Sequence, residues 1–202
     1  MDDVSTSEDV AWASVNTPLS VDALKDFCAD IERLYRINPM LEFKGWNSRA
    51  GNQFTFSGRN ISQEHPFDFE FELSASKLDD GIRIDYDRGV RSSTTFTIEH
   101  AEQGSKLTIT DRYERFPAEQ QSAHLHEVDK SLLVWAQYLQ QYIVNWQRWC
   151  RFGLWRWYMR RVWQPMKPTG RRITYMLLWI TVVEIALITL GAAIYYVEYA
   201  GS

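Results

Sequence analysis

Between residues 41 and 113 apolar and polar side chains alternate with a period of two, in short runs separated by turn residues. That is the pattern of strands with one covered and one solvated face. It predicts strands over 41–46, 53–57, 67–73, 82–86, 94–99 and 107–113, with FDFEFEL the strictest case. Ala50-Gly51-Asn52, Asp79-Asp80-Gly81 and Glu102-Gln103-Gly104 fall between the runs as hairpin turns, so the strands make an antiparallel meander. Ahead of the meander, 10–15 has strand composition, and Ser20 is placed to cap a helix. The apolar residues of that helix, Leu24, Phe27, Cys28, Ile31 and Leu34, keep helical spacing until Pro39 ends it. From about Glu127 the period is again helical, through Leu132, Trp135, Ala136, Leu139, Ile143 and Trp146. The first half of this helix supplies the cover that the sheet needs. No strong breaker precedes Pro165, so the pattern predicts one helix as far as Trp163.

The last long run, ITYMLLWITVVEIALITLGAAIYYV over 173–197, is almost wholly apolar and covers more than the ~30 Å of a bilayer core. It predicts a single transmembrane helix. Glu184 falls near its middle, at a cost of roughly 2.5–3.5 kcal/mol, which the surrounding Leu, Ile and Val residues offset. A carboxyl group in mid-membrane faces another helix or a polar cavity by default. Thr181 and Ile188 share its side, and the three together predict contact with a membrane-protein partner or a second copy of the chain.

Charge orients this span. Residues 144–172 hold no Asp or Glu, while Arg148, Arg151, Arg156, Arg160, Arg161, Lys167, Arg171 and Arg172 crowd into them. The positive-inside rule then keeps the N-terminal bulk cytoplasmic, at a bacterial inner membrane or its equivalent, with a short C-terminus across it. Trp146, Trp149, Trp155, Trp157 and Trp163 interleave with these arginines, a mixture suited to the head-group layer and to anionic lipid. The overall charge of −4 hides an acidic body on this basic neck, which argues against a nucleic-acid partner. Roughly 140 residues remain outside neck and span, enough for one domain. The predicted organisation is a disordered leader over 1–9, a folded domain over 10–143, an interfacial segment and linker over 144–172, the span over 173–197 and a tail over 198–202. Cys28 and Cys150 are too few for a disulfide framework or a zinc site, and no signal peptide is expected.

Candidate chemistry is sparse. His124-x-His126 beside Glu127 and Asp129 lacks a third ligand at a metal spacing, and His65 and His100 sit in predicted turns. Glu70, Glu72, Asp85 and Asp87 fall on the solvated phase of their strands. There is no nucleophile elbow and no phosphate loop. No catalytic residue, metal or cofactor is predicted, and an enzymatic role has no residue constellation behind it.

The order strand, helix, meander and long helix resembles the START-like superfamily, also called Bet v 1-like or SRPBCC (polyketide cyclase and lipid transport). The resemblance is carried by TPLSVDALKDFCADIERLYRINPMLEFKGW, with Asp30, Glu32, Asn38 and Pro39, and by LLVWAQYLQQYIVNW. It covers about residues 10–142 and implies an α+β helix-grip fold, a curved antiparallel sheet wrapped on the long helix, here followed by one transmembrane helix. It also implies a cavity for lipids, isoprenoids, sterols or polyketides. From spacing alone Phe43, Phe54, Phe56, Phe69, Phe71, Trp135 and Leu139 fill a solid core; by resemblance they line that cavity. Two functions follow. One is a membrane-anchored binding module for a lipid, isoprenoid or other hydrophobic ligand at the cytoplasmic membrane face. The other is a non-catalytic accessory subunit of a larger integral membrane complex; an open apolar pocket facing the bilayer favours the first, and a filled core the second.

Overall fold

The structure, a computed structural model, describes residues 4–7, 10–49, 51–63, 65–89, 91–113 and 118–200, with the backbone alone at 4–7, 118–130 and 200. It divides into two units, Met1–Pro165 and Met166–Ser202.

The N-terminal unit is built on an eight-stranded antiparallel sheet. Its strands are β1 (Val4–Ser7), β2 (Val10–Thr17), β3 (Leu41–Arg49), β4 (Gln53–Asn60), β5 (Phe67–Leu78), β6 (Gly81–Tyr86), β7 (Ser93–His100) and β8 (Ser105–Arg112). The order β1-β2-β8-β7-β6-β5-β4-β3 is a meander from β3 to β8, closed onto β2 by the pairing of Trp12 with Thr110. The leader is not wholly outside the fold, because Val4–Ser7 pairs with β2. Gly51 and Asn52 turn the β3–β4 hairpin with φ of 77° and 58°, the left-handed geometry that a tight hairpin turn between twisted strands requires.

Two helices, α1 (Val21–Cys28) and α2 (Ile31–Ile37), stand where the spacing predicts one. The break is chemical. Asp30 accepts from the Arg33 amide at 3.1 Å and so caps a new helix, just as Ser20 caps α1 through the Ala23 amide at 3.3 Å.

The long helix α3 (Ala118–Trp149) begins earlier than predicted and therefore contains His124 and His126, whose side chains lie outside the described residues. It lays Leu132, Trp135, Ala136, Leu139, Tyr142 and Ile143 on the sheet, all buried. Each such aliphatic side chain stabilises the fold by about 1.5–3 kcal/mol. Trp135 is the central knob: it packs on Tyr35 and Phe96, and its Nε1 donates to the Leu34 carbonyl at 2.9 Å. Gln140 and Gln147 donate to the carbonyls of Asn16 and Pro18, which fixes the C-terminal half of α3 against the far end of β2.

The helix does not run on to Trp163. It stops at Trp149, Phe152 takes an extended backbone, and the chain re-enters helix as α4 (Gly153–Tyr158) and a π-helical turn over Met159–Trp163. The reversal is driven by burial, for it brings Trp163 onto Tyr142 at 5.4 Å and puts Met159 into the core. The C-terminal unit is a single helix, α5 (Pro168–Ala200), started by a proline at the one helical position that needs no amide donor.

Candidate functional site

Strand alternation decides what faces α3. Phe54, Phe56, Leu73, Phe71 and Phe69 share one face through the pairs Phe54–Leu73, Phe56–Phe71 and Gly58–Phe69. A bulge between Phe43 and Gly45 then turns Phe43 and Trp46 toward that same face, where both rings meet Phe56. The core they build is not solid. Where β3 and β5 begin and β4 and β6 end, a cavity of about 320 Å³ remains. This is the lower end of the ~300–1,000 Å³ usual for small-molecule pockets.

Of the residues placed in a cavity by resemblance, Phe56, Phe69 and Phe71 line it, joined by Phe67, Leu41 and Met40. Phe43 and Phe54 do not line it: Phe43 is sandwiched between Phe56 and the Arg36 guanidinium, and Phe54 packs on Trp46. Trp135 and Leu139 are fully buried and belong to the packed centre. Gly89 sits at the rim with φ of 95°, and a Cβ there would meet the Phe71 ring at 2.9 Å.

One wall of the cavity is polar, and sequence reasoning missed it. Tyr35, Tyr86, Arg91 and Tyr113 line it, backed by Thr94 and Asp111. The Arg91 guanidinium pairs with the Asp111 carboxylate at 3.0 Å, and Asp111 is completely buried. Thr94 Oγ1 donates to Asp111 at 2.6 Å, and the Tyr113 hydroxyl donates to it at 3.3 Å. Because the carboxylate accepts the Thr94 proton, Tyr86 must donate to Thr94 at 3.0 Å. Tyr35 then donates to Tyr86, giving a directed chain Tyr35, Tyr86, Thr94, Asp111.

Burial pushes the Asp111 carboxyl up, against the pull of Arg91, Thr94 and Tyr113. Burial also works against the Arg91 charge, but Asp111 and the phenols outweigh it and hold the guanidinium well above its ordinary value. Burial holds Tyr35 and Tyr113 protonated far above the usual phenol range. A guanidinium does not give up its proton in proteins, and this carboxylate has three donors, so the pair is ionic.

A signal for Asp111 was present. It continues the inward phase of Leu107 and Ile109, a charged residue where alternation assigns burial. Glu72, Asp85 and Asp87 behave as predicted for the solvated face, bonded to Arg49, Arg83 and Arg88 respectively.

No family model and no curated protein matches the sequence. Solved structures do match the N-terminal part. The protein TTHA0849 from Thermus thermophilus aligns with a TM-score of 0.54 and 12% identity, covering 67% of this chain and 97% of its own. Protein Ms6760 from Mycobacterium smegmatis gives 0.52 and 14%, over 71% and 97%. The Zhui aromatase/cyclase from Streptomyces gives 0.53 and 9%, over 69% and 95%. The N-terminal unit has the helix-grip fold, a curved antiparallel sheet on a long helix, that these structures share. At these identities the likeness is one of fold alone.

In this helix-grip unit the Trp and Arg candidates divide. Trp146, Trp155 and Trp163 are half-buried, Trp146 stacked on Tyr142 and the other two packed at a tilt on Tyr158 and Tyr142 respectively. Arg160 lies over the Trp146 ring at 5.5 Å. Trp149 and Trp157 are exposed, and so are Phe152 and Leu154, the latter at 79%. Arg148, Arg151, Arg156 and Arg161 are exposed around them. This patch and the cavity occupy opposite ends of the unit. Ser131 lines the cavity and Trp149 ends α3, a separation of roughly 27 Å along the helix.

On α5, Arg171 is half-buried and Arg172 exposed, and Thr181, Glu184 and Ile188 are exposed. The Thr181 hydroxyl donates to the Leu177 carbonyl of its own helix at 3.0 Å, which occupies the proton expected to reach a neighbouring helix. The most apolar 18-residue window within Pro168–Tyr199 has a mean hydropathy of 2.3, and the helix is long and apolar enough to cross a bilayer.

Proposed function

We propose that the chain is a membrane-held binding module: the helix-grip unit encloses a hydrophobic ligand, and α5 anchors it. One observation carries this reading, the cavity with an aromatic wall on one side and a buried ion pair on the other. A filled core would have favoured the accessory-subunit reading. The length and apolarity of α5 support anchoring, and the basic residues over 144–172 favour a cytoplasmic N-terminal unit at a bacterial inner membrane. Trp149, Phe152, Leu154 and Trp157, ringed by arginines, suit the head groups of anionic lipid. With that patch on the membrane, the cavity lies at the membrane-distal end of the unit rather than facing the bilayer as expected, and ligand is exchanged there.

The accessory reading keeps one observation of its own. Glu184 is exposed on α5 with no hydrogen-bond or ion-pair partner among the described residues. A partner helix, homomeric or from a larger membrane protein, would relieve that group.

The test is organic extraction and mass spectrometry of the full chain purified in mild detergent, beside Ser62→Trp, which fills the cavity from its rim. The binding module predicts one apolar species in the wild type, depleted at least about tenfold in the variant. Equal extracts from both proteins would contradict it.

A further inference from the structure

The cavity carries a charge balance. Arg91 brings one positive charge to its wall, and the only ionised group bonded to Arg91 among the described residues is Asp111. Asp111 is sealed behind Thr94 and Tyr113, fully buried, and cannot swing out to be replaced by a ligand's carboxylate without losing three bonds. Arg91 is different. Its side chain is 25% exposed and lines the cavity, and of its five N–H groups one goes to Asp111, another, at 3.4 Å, to Tyr86, and Tyr113 is hydrogen-bonded to it as well, which leaves donors over. The cavity therefore offers N–H donors to a ligand from a group whose charge is already cancelled.

We propose that this end selects a ligand with a neutral hydrogen-bond acceptor, a ketone, quinone or ester carbonyl, on an apolar body, and rejects carboxylates. An added carboxylate would leave a net negative charge in a site enclosed by Phe56, Phe69, Phe71 and Tyr35, where an uncompensated ion is strongly disfavoured. A neutral carbonyl asks for one donor and brings no charge. The apolar body faces Phe67, Phe69 and Phe71, and the volume admits a single chain or a small ring system. This inference rests on the binding reading above and adds the chemistry of the head group.

The test offers the full chain, in lipid nanodiscs at slightly alkaline pH, an equimolar mixture of dodecanoate and deuterated methyl undecyl ketone, and counts the adducts by native mass spectrometry. The expected result is ketone over acid by at least about tenfold. In Asp111→Asn the cavity gains a net positive charge while the site keeps its shape, and the preference moves toward dodecanoate. Acid bound as well as ketone by the wild type would overturn the head-group inference and leave the binding module standing. An Asp111→Asn protein that folds but keeps the wild-type ratio would overturn it too. No adduct of either compound would overturn both. The wild-type ratio needs no variant, so a poorly folding Asp111→Asn does not blunt the test.

Discussion

The two ends of the helix-grip unit use the same residue types to opposite effect. At the cavity end, Arg91 lies over the Tyr86 ring at 5.7 Å and is cancelled by a buried carboxylate. At the other end, Arg148 and Arg151 lie over Trp149 and Phe152 at 5.6 and 5.2 Å, with no acidic residue anywhere over 144–172. Arginine beside an aromatic ring is thus not one signal but two. With its counter-charge built in, it is a fixed donor on the cavity wall. Left exposed and uncompensated, it is an adhesive whose counter-charge must come from outside, and anionic lipid supplies one.

The sharpest way to break the comparison is to remove the internal counter-charge. Asp111→Ala strands the Arg91 guanidinium and lowers the free energy of unfolding by about 3–5 kcal/mol, read from the urea midpoint of the full chain. The apolar double variant Arg91→Met/Asp111→Leu recovers most of that loss, since it removes both charges at once. A single variant costing less than about 1 kcal/mol would mean that the pair is solvated and the two ends are alike.

Alkali acts on the buried groups and spares the exposed end. Burial pushes the Cys28 thiol up to about 12, and holds Tyr35 and Tyr113 above the ordinary phenol range. The unfolded chain releases its thiol proton from about pH 8.5 and its phenol protons from about pH 10. The folded unit retains them, so the unfolded state binds fewer protons and stability falls as pH rises. The stabilisation is complete below about pH 8.5 and is lost by up to about 1.4 kcal/mol per pH unit and group. Cys28→Ala, measured by urea unfolding at each pH, flattens the first part of that decline. A wild-type profile already flat between pH 8.5 and 10 would show the thiol to be accessible.

The smallest stability effect belongs to the exposed end. Leu154→Ser/Trp157→Ser shifts the unfolding free energy by less than about 0.5 kcal/mol. It nevertheless abolishes a difference in hydrogen exchange over residues 149–158, which are slower in nanodiscs of phosphatidylglycerol than in phosphatidylcholine. Equal exchange in both lipids for the wild type would deny this end its membrane role.

Much of the architecture was legible because alternation and helical spacing are read one element at a time. The strands of the meander, the cover by α3 and the apolar α5 all lie where the periods put them. What was not legible depends on groups distant in sequence. New helices start after Asp30 and Phe152 where apolar spacing would carry one helix through, because a side-chain cap and a burial-driven reversal outweigh periodicity. Trp135 and Leu139 were candidates for a cavity wall but pack the centre, since alternation reports which face is covered and not whether the cover fits closely. The polar wall joins α2, the ends of β6 and β8, the start of β7 and Arg91 just before it, and no local pattern connects those segments. Of its members Asp111 alone left a local signal, a charge on an inward phase, and it went unread; its partner Arg91 left none.

The measurement closest to the centre of the account is native mass spectrometry of the full chain released gently from its own membrane. The account predicts one small apolar molecule held at a stoichiometry of about one per chain, whether the chain is alone or self-associated. Larger protein subunits bound to a chain whose cavity carries nothing would contradict it, and would make α5 and Glu184 the functional part of the molecule.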